Sequence, residues 1–261
     1  MGCRLSPMDT AQIATLLTPF LTRPLAPAQI AQISIYIDLL LRWNARTNLT
    51  AIRTPEEIVT RHFGESLFVA QTLFPAPEES NRDPNGHAGT PGNSLALQRR
   101  EVSANVMRPI GTPETPGQIN ANSRPLDLLD LGSGPGFPGL PIHLITPNLQ
   151  TTLLESQQKK VAFLREVIRA LTLTSINVYP ARAEDFSHTA STVTLRAVER
   201  FDQILPTAAR LVAPQGRVAL LIAEPQQPRA QSALPNFSWQ SPTPIPNSTA
   251  RILLVGTPDG M

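Results

Sequence analysis

The chain has 261 residues, of which 41% are hydrophobic and 16% charged, so it is long enough to bury a core and is not disordered throughout. Its net charge of +2 does not by itself indicate a polyanionic partner. Its cations are nearly all arginine, which suits phosphate contacts, although a GC-rich genome gives the same bias. A single cysteine excludes an internal disulfide, and neither a signal peptide nor a run of transmembrane length is recognisable, so we expect a cytoplasmic protein outside the membrane.

The N-terminal part of the chain has helical patterns. Asp9 is a suitable N-cap for a first helix, and Pro27 can open a second one in which isoleucine and leucine recur at helical spacing. The sequence TPEE at 54–57 has the form of a capping box, and we expect the helix it opens to break near Gly64. These patterns predict an N-terminal helical cap over residues 1–74.

Proline and glycine are concentrated in the next part of the chain. Residues 75–125 contain eight prolines and five glycines with few large apolar side chains, which predicts a disordered or loosely ordered insertion. A second proline-rich stretch at 225–246 predicts long loops.

From residue 126 onward, apolar strand-like runs alternate with helical patterns. Strands are predicted at 126–131, 150–155, about 175–179, 192–196, 217–222 and 250–256, with helices after a cap at Ser156 and near 205–213. This alternation is typical of an α/β core with a parallel sheet and helices on both faces, here residues 126–261. Ligands of such sheets bind beyond the carboxyl ends of the strands.

The most informative segment follows the first predicted strand, where residues 130–139 read DLGSGPGFPG. Alternating glycines permit unusual backbone angles and a close approach of a ligand. The segment departs from the dinucleotide pattern because Pro138 precedes the last glycine, and it lacks the Gly-Lys-Ser/Thr of a phosphate-binding loop. On its own, this loop is a weak signal of ligand binding.

Two further segments strengthen the prediction of a ligand site. Glu155 ends the second predicted strand, where an acid can accept hydrogen bonds from both hydroxyls of a ribose, although an ordinary strand-end acid is the alternative. The sequence ARAEDF at 181–186 follows the third strand and could bracket an adenine edge. Together with the glycine loop, these segments predict a nucleoside-bearing cofactor.

Several motifs together resemble one family. They are Trp43-Asn44, Asn48-Leu49-Thr50, Arg61-His62, the loop at 130–139, Glu155-Ser156 with Lys159-Lys160, and Arg196-Ala197. From about Leu39 to Val255, apart from the insertion, the chain resembles the ribosomal small-subunit RNA methyltransferases once called glucose-inhibited division protein B. The resemblance implies a Rossmann-like class I methyltransferase with a mostly parallel, seven-stranded sheet. It implies methylation of guanine N7 in 16S rRNA with S-adenosyl-L-methionine as cofactor, with 16S rRNA or the small ribosomal subunit as partner of a monomeric enzyme.

The same resemblance implies roles for individual residues. Cofactor-binding positions would be Gly132, Gly134, Phe137, Glu155, Ala183, Glu184 and Arg196. Of these, Gly132 and Phe137 would line the methionine-sulfonium region, Glu155 would hold the ribose, and Ala183 with Glu184 would flank the adenine. Arg196, at the edge between cofactor and target base, would be the catalytic residue. Substrate-binding positions would be Arg61, Lys159 and Arg200, and no metal site is expected.

The residue inventory agrees with N7 chemistry. Guanine N7 carries a lone pair and no proton, so its methylation needs no general base and can depend on positioning alone. Cys3 is a poor candidate for the thiol of pyrimidine C5 methylation, and the Pro-Pro motif usual in amino-group methylases is absent from the sequence. His62 is predicted to be a structural residue joining the helical cap to the sheet.

Other functions stay open at this point. Ile222 and Ala223 stand where the family usually has Lys-Gly, which is compatible with a non-catalytic homologue that binds RNA or the ribosome. A small-molecule methyltransferase is disfavoured by the Asn-Leu-Thr and Arg-His motifs, and a nicotinamide-dependent oxidoreductase by Pro138. The candidate arginines could also be ordinary solvated residues of helix faces.

Overall fold

The computed structural model describes residues 8–75, 125–196 and 201–260. The predictions for Cys3 and Arg200, and for nearly all of the insertion at 75–125, lie outside the described residues. In the part of the chain that is described, no helix is both long enough and apolar enough to cross a bilayer.

The N-terminal segment is helical, as its sequence predicts. Its helical elements are α1 (Thr10–Leu17), a 3-10 turn (Thr18–Phe20), α2 (Pro27–Thr47), α3 (Pro55–Glu57), a π-helical turn (Ile58–Gly64) and α4 (Glu65–Leu73). The side chain of Asp9 accepts a hydrogen bond from the Ala11 amide at the start of α1, and the Thr54 hydroxyl accepts one from the Glu57 amide at the start of α3. Pro27 is the first residue of α2.

The predicted break near Gly64 is wrong. The π-helical turn continues directly into α4, so the chain stays helical through this glycine. A Cβ at position 64 would lie 2.6 Å from the Phe20 ring. Glycine therefore serves here to let the helix pack closely against an aromatic side chain.

Within the described residues the sheet has eight strands rather than the seven implied by the resemblance, while the α/β class is confirmed. The strands are β1 (Leu126–Leu131), β2 (Thr151–Leu154), β3 (Ile176–Tyr179), β4 (Ala190–Arg196), β5 (Val212–Ala223), β6 (Phe237–Trp239), β7 (Thr243–Pro244) and β8 (Arg251–Pro258). Their order is β3-β2-β1-β4-β5-β8-β6, and β7 also pairs with β8. The strands β1 to β5 are parallel, whereas β8 runs antiparallel to β5. The carboxyl ends of β1 to β5 therefore share one edge.

Helices cover both faces of the sheet. The helices of this part are α5 (Gly139–Ile145), α6 (Gln158–Ala170), α7 (Phe201–Arg210) and α8 (Gln227–Ala233), with 3-10 turns at Ala183–Asp185 and Glu224–Gln226. Side chains of α2, α5 and α6 share one buried cluster, which includes Leu153 of β2. Side chains of α7 and α8 form another, which includes the next residue, Leu154. Successive strand residues thus face opposite layers.

Two local predictions are wrong. Ser156 does not cap α6, because the N-cap is Gln157 and its amide is bound by the carboxylate of Glu155. The stretch 225–246 is not a set of long loops, because it holds α8, β6 and β7. Proline is tolerated there in the first turn of a helix, as Pro228 in α8, and in a short edge strand, as Pro244 in β7.

Candidate active site at the carboxyl edge of the sheet

The glycine loop joins β1 to α5 and bends sharply at the carboxyl edge. The amides of Gly132 and Ser133 donate to the Leu154 carbonyl at the end of β2, at 2.9 and 3.0 Å. Gly132, Gly134 and Gly136 all have positive φ, of 69°, 57° and 97°. Glycine adopts such angles without the steric cost that other residues incur, so the alternating glycines set the course of this loop.

Two of these glycines have opposite surroundings. A Cβ on Gly136 would lie 2.5 Å from Leu140 Cδ1 and would overlap the Tyr36 hydroxyl, so this glycine is required for packing. A Cβ on Gly134 would meet nothing within 4 Å except the Gly132 carbonyl oxygen at 3.9 Å. The loop therefore leaves open space beside Gly134, as a ligand-binding backbone would.

Glu155 lies next to this space. Its carboxylate accepts hydrogen bonds from the Gly134 amide at 2.9 Å through Oε2 and from the Gln157 amide at 2.7 Å through Oε1. The side chain is buried. Because each carboxylate oxygen has more than one acceptor site, Glu155 can still accept hydroxyl donors from a ligand.

The third predicted segment follows β3 as the 3-10 turn Ala183–Asp185. Arg210 of α7 holds this turn by donating to the carbonyls of Ala183 and Glu184, each at 3.3 Å, and of Phe186 at 3.0 Å. Ala183 is half-buried and Glu184 is exposed. Since β1, β2 and β3 are neighbours in the sheet, the glycine loop, Glu155 and this turn occupy successive positions on one edge.

Phe137 lies behind the loop in a stack of rings. It packs face to face with His62, at 4.5 Å between ring centroids, and with Tyr36, at 5.3 Å. The Tyr36 hydroxyl also donates to the Pro135 carbonyl. The N-terminal helices are thereby fastened to the glycine loop, and only 5% of Phe137 is exposed.

His62 has the environment of a neutral histidine. Its Nε2 is 2.9 Å from the Thr50 hydroxyl, while Nδ1 is buried without a partner in the described part of the chain. Burial, and then the charges of Arg196, Arg61 and Arg251, lower the pKa of His62 to about 2. The ring therefore stays uncharged at physiological pH.

Asp130 is a buried acid at the end of β1 that the sequence did not single out for function. Its carboxylate accepts from the Thr194 hydroxyl at 2.8 Å and from the Gly139 amide at 3.1 Å. Burial raises its pKa to about 6, although these hydrogen bonds and the Arg196 charge oppose the shift. Asp130 thus anchors both ends of the glycine loop to β4.

A charged cluster lies at the end of β4. Arg196 Nη2 donates to the Arg61 carbonyl at 2.5 Å and to Glu65 Oε2 at 3.2 Å, and Arg251 pairs with the other oxygen of Glu65. Burial is the main cause that lowers the pKa of Arg196 to about 10, which leaves it protonated at neutral pH. Glu65 and Arg251 were missed by sequence reasoning, because they come from α4 and β8, far from Arg196 in the chain.

This cluster borders a cavity of about 190 Å³. The lining residues are Leu195, Arg196, Phe201, Leu221, Ile222, Ala223, Gln226 and Arg251. The cavity lies at the carboxyl ends of β4 and β5, where Ala223 is paired with Arg251 of β8. A guanidinium therefore lies beside the two positions at which the family usually has Lys-Gly.

The remaining predicted residues are the three candidate substrate-binding positions. The Arg61 carbonyl is part of the cluster and the residue is exposed, while Lys159 is exposed in the first turn of α6, just after Glu155. Arg200 lies outside the described residues. Within the described ranges, no group of three or more histidine, cysteine, aspartate or glutamate side chains could hold a metal ion.

Sequence comparisons with known proteins agree on one family. The chain matches the sequence model of the GidB family, described as rRNA small subunit methyltransferase G, over residues 29–109 and 117–242. It is 33% identical over 226 residues to ribosomal RNA small subunit methyltransferase G of Xylella fastidiosa (strain 9a5c), covering 84% of this chain and 82% of that protein. The protein of the same name from Stenotrophomonas maltophilia (strain K279a) is 30% identical, with 90% and 87% covered.

Solved structures with similar folds are more distant. TrmN from Thermus thermophilus is 21% identical with a TM-score of 0.44, covering 53% of this chain and 46% of that one. Precorrin-6y C5,15-methyltransferase from Geobacter metallireducens GS-15 is 13% identical with a TM-score of 0.41, covering 51% and 79%.

Proposed function

Since this chain belongs to the rRNA small subunit methyltransferase G family, we propose that it transfers a methyl group from S-adenosyl-L-methionine to N7 of a guanine in 16S rRNA. Membership of the family makes the chain an S-adenosylmethionine-dependent methyltransferase of 16S rRNA. The position N7, the mechanism and the residue roles are the proposal. The observation that carries it is the open backbone at Gly134 beside the buried carboxylate of Glu155.

The residues of the carboxyl edge suit this cofactor. In the proposed arrangement the backbone of Gly132 and Gly134 lines the cofactor, because glycine leaves room for its close approach. Glu155 accepts hydrogen bonds from the ribose hydroxyls with its remaining lone pairs. Ala183 and Glu184 flank the adenine from the turn that Arg210 holds. Phe137 is buried in its ring stack, so it supports the glycine loop by packing and presents little exposed surface to the cofactor.

When bound, the cofactor supplies an electrophilic methyl group on a sulfonium. Guanine N7 is an unprotonated nucleophile, so the chain has no proton to remove before an in-line transfer. His62 is not required as a base, because guanine N7 carries no proton. Burial, and then the charges of nearby arginines, lower the pKa of His62 to about 2, which makes it a poor base in any case. The contribution of the protein is to orient the two reactants, which is worth up to about 7–11 kcal/mol in well-aligned systems.

The target guanine occupies the cavity beside Arg196 in this proposal. The cavity adjoins the cofactor edge, because β4 and β1 are paired and Leu195 is in register with Leu131 just before Gly132. Arg61, Lys159 and Arg200 contact the RNA backbone. Binding to 16S rRNA, as free RNA or in the small subunit, should then weaken strongly with salt, as phosphate contacts do. The enzyme acts as a monomer.

The cavity also bears on the non-catalytic alternative. Ile222 and Ala223 replace the usual Lys-Gly, yet Arg251 from the neighbouring strand lines the same cavity. A cation is therefore present at this place, and the glycine loop and Glu155 are intact. These features favour an active enzyme.

The test uses small subunits from cells that lack this methylation. The purified full-length protein is incubated with them and with S-adenosylmethionine labelled in its methyl group, and the label is mapped to nucleotide and atom. The proposal predicts a single guanine labelled at N7. Label at another atom, on protein or on a small molecule, or cofactor binding with no transfer, would refute it.

A further inference from the structure

Among the described residues, only one of the two terminal nitrogens of the Arg196 guanidinium has hydrogen-bond partners. Its Nη2 donates to the Arg61 carbonyl and to Glu65, whereas Nη1 is buried and has no hydrogen-bond partner among the residues that the structure describes. The side chain is only 7% exposed. Buried donors without partners are rare in folded proteins, so this one indicates a place that a ligand atom completes.

The walls of the adjoining cavity favour a flat base over a phosphate. Apart from Arg196, Gln226 and Arg251, the lining side chains are the apolar ones of Leu195, Phe201, Leu221, Ile222 and Ala223. Because five of the eight lining residues are apolar, a phosphate held there would lose water from several charged oxygens at once. A purine has apolar faces and only a few polar edge atoms, which matches such a site.

The engaged half of Arg196 explains why a guanine could react there. An arginine that reads guanine in the usual two-pronged way binds both O6 and N7, which would block the N7 lone pair. Here Nη2 is already held by Arg61 and Glu65, so the structure leaves one terminal nitrogen free. A contact through that nitrogen to O6 alone would leave N7 open to the methyl group.

We propose that Arg196 distinguishes guanine from adenine at the methylated position, with Nη1 donating a hydrogen bond to O6, and that Glu65 is a positioning residue that fixes Arg196 for this contact. The inference rests on the proposed function. Adenine carries an amino group at C6 in place of O6. That amino group would set a donor against the buried donor of Arg196 and leave both unpaired.

The test varies the target base and the residue together. Small-subunit RNA is prepared with guanine, inosine or 2,6-diaminopurine at the single methylated position, and kcat/KM for methyl transfer is measured with the full-length enzyme. Inosine keeps O6, and 2,6-diaminopurine replaces it with an amino group. We expect guanine and inosine to react within about fivefold of each other, and 2,6-diaminopurine about 30-fold or more slowly, the effect of one unpaired buried donor.

The variants separate recognition from intrinsic reactivity. In Arg196→Gln the ratio of guanine to 2,6-diaminopurine should fall below about fivefold, because an amide can turn to donate or accept. Glu65→Gln should lower the same ratio while leaving the Kd for S-adenosylmethionine within about twofold, and Glu65→Asp should restore part of it. Arg229→Gln removes an exposed arginine paired with Asp202 and serves as the control that keeps the wild-type ratio. Comparing ratios cancels differences in folding and in the chemical reactivity of each base.

The outcomes are distinguishable. Failure of the wild type to methylate the guanine would overturn the proposed function itself. Guanine methylation with a ratio below fivefold in the wild type, or with an undiminished ratio in Arg196→Gln, would overturn only the role of Arg196. If Arg196→Gln does not fold, Glu65→Gln supplies the comparison with the wild type, and an undiminished ratio there would overturn the proposal. An undiminished ratio in Glu65→Gln would overturn the positioning role.

Discussion

Two glycines of the same loop should respond to alanine in opposite ways. At Gly134 the added Cβ would lie in open space, and its φ of 57° is the left-handed helical region, so folding should lose only about 1 kcal/mol. At Gly136 the Cβ would overlap Tyr36 and Leu140, and φ is 97°. Overpacking and backbone strain together should cost about 3 kcal/mol or more there.

The effect on cofactor affinity should have the opposite order. Among the molecules that fold, Gly134→Ala should weaken the binding of S-adenosylmethionine more than Gly136→Ala does. In Gly134→Ala the methyl group would occupy the space assigned to S-adenosylmethionine, so the Kd should rise about tenfold or more, which is 1.4 kcal/mol. Urea unfolding measures the stability of both variants, and titration calorimetry measures the Kd of Gly134→Ala. A Kd within twofold of the wild-type value in this variant would show that the open space beside Gly134 is not the cofactor site.

Three other predictions follow from single side chains. Glu155→Ala should raise the Kd for S-adenosylmethionine about tenfold by calorimetry, because it removes the acceptor for the ribose hydroxyls; an unchanged Kd would show that the ribose binds elsewhere. Arg210→Ala should raise the KM for S-adenosylmethionine several-fold with little change in kcat, since it releases the 183–185 turn, whereas a fall in kcat alone would contradict this. Burial raises the pKa of Asp130 from 3.8 to about 6. Between pH 3.8 and pH 6 the native state therefore keeps a proton on Asp130 that the unfolded state has lost. The free energy of unfolding then falls as the pH rises through this range. Relative to Asp130→Asn, the wild type should thus lose about 2 kcal/mol of unfolding free energy between pH 4 and pH 7, and a constant difference across that range would contradict the assignment.

The sequence predicts local features of this fold well. The strand β1 has the predicted bounds, because its apolar run is followed by Gly132, Gly134 and Gly136, whose positive φ angles end the extended backbone. The caps at Asp9 and Thr54 follow from short-range hydrogen bonds that are encoded within four residues. Glu155 lies beside the glycine loop as expected, because both terminate neighbouring parallel strands.

Features that depend on contacts between residues far apart in the chain could not be predicted from local sequence patterns. The cluster at Arg196 brings together Glu65 of α4 and Arg251 of β8, and no local pattern marks either of them. The burial of Phe137 depends on rings supplied by Tyr36 and His62. Gly64 resembles a helix break in sequence, whereas in the structure the lack of a side chain at this position makes room for the Phe20 ring.

A crystal structure of the protein with S-adenosylhomocysteine would test the proposed cofactor site directly. We expect the ribose hydroxyls within hydrogen-bonding distance of the Glu155 carboxylate, the cofactor backbone against Gly134, and the adenine beside the turn at 183–185. Cofactor bound elsewhere, with Glu155 contacting only the amides of Gly134 and Gln157, would contradict it.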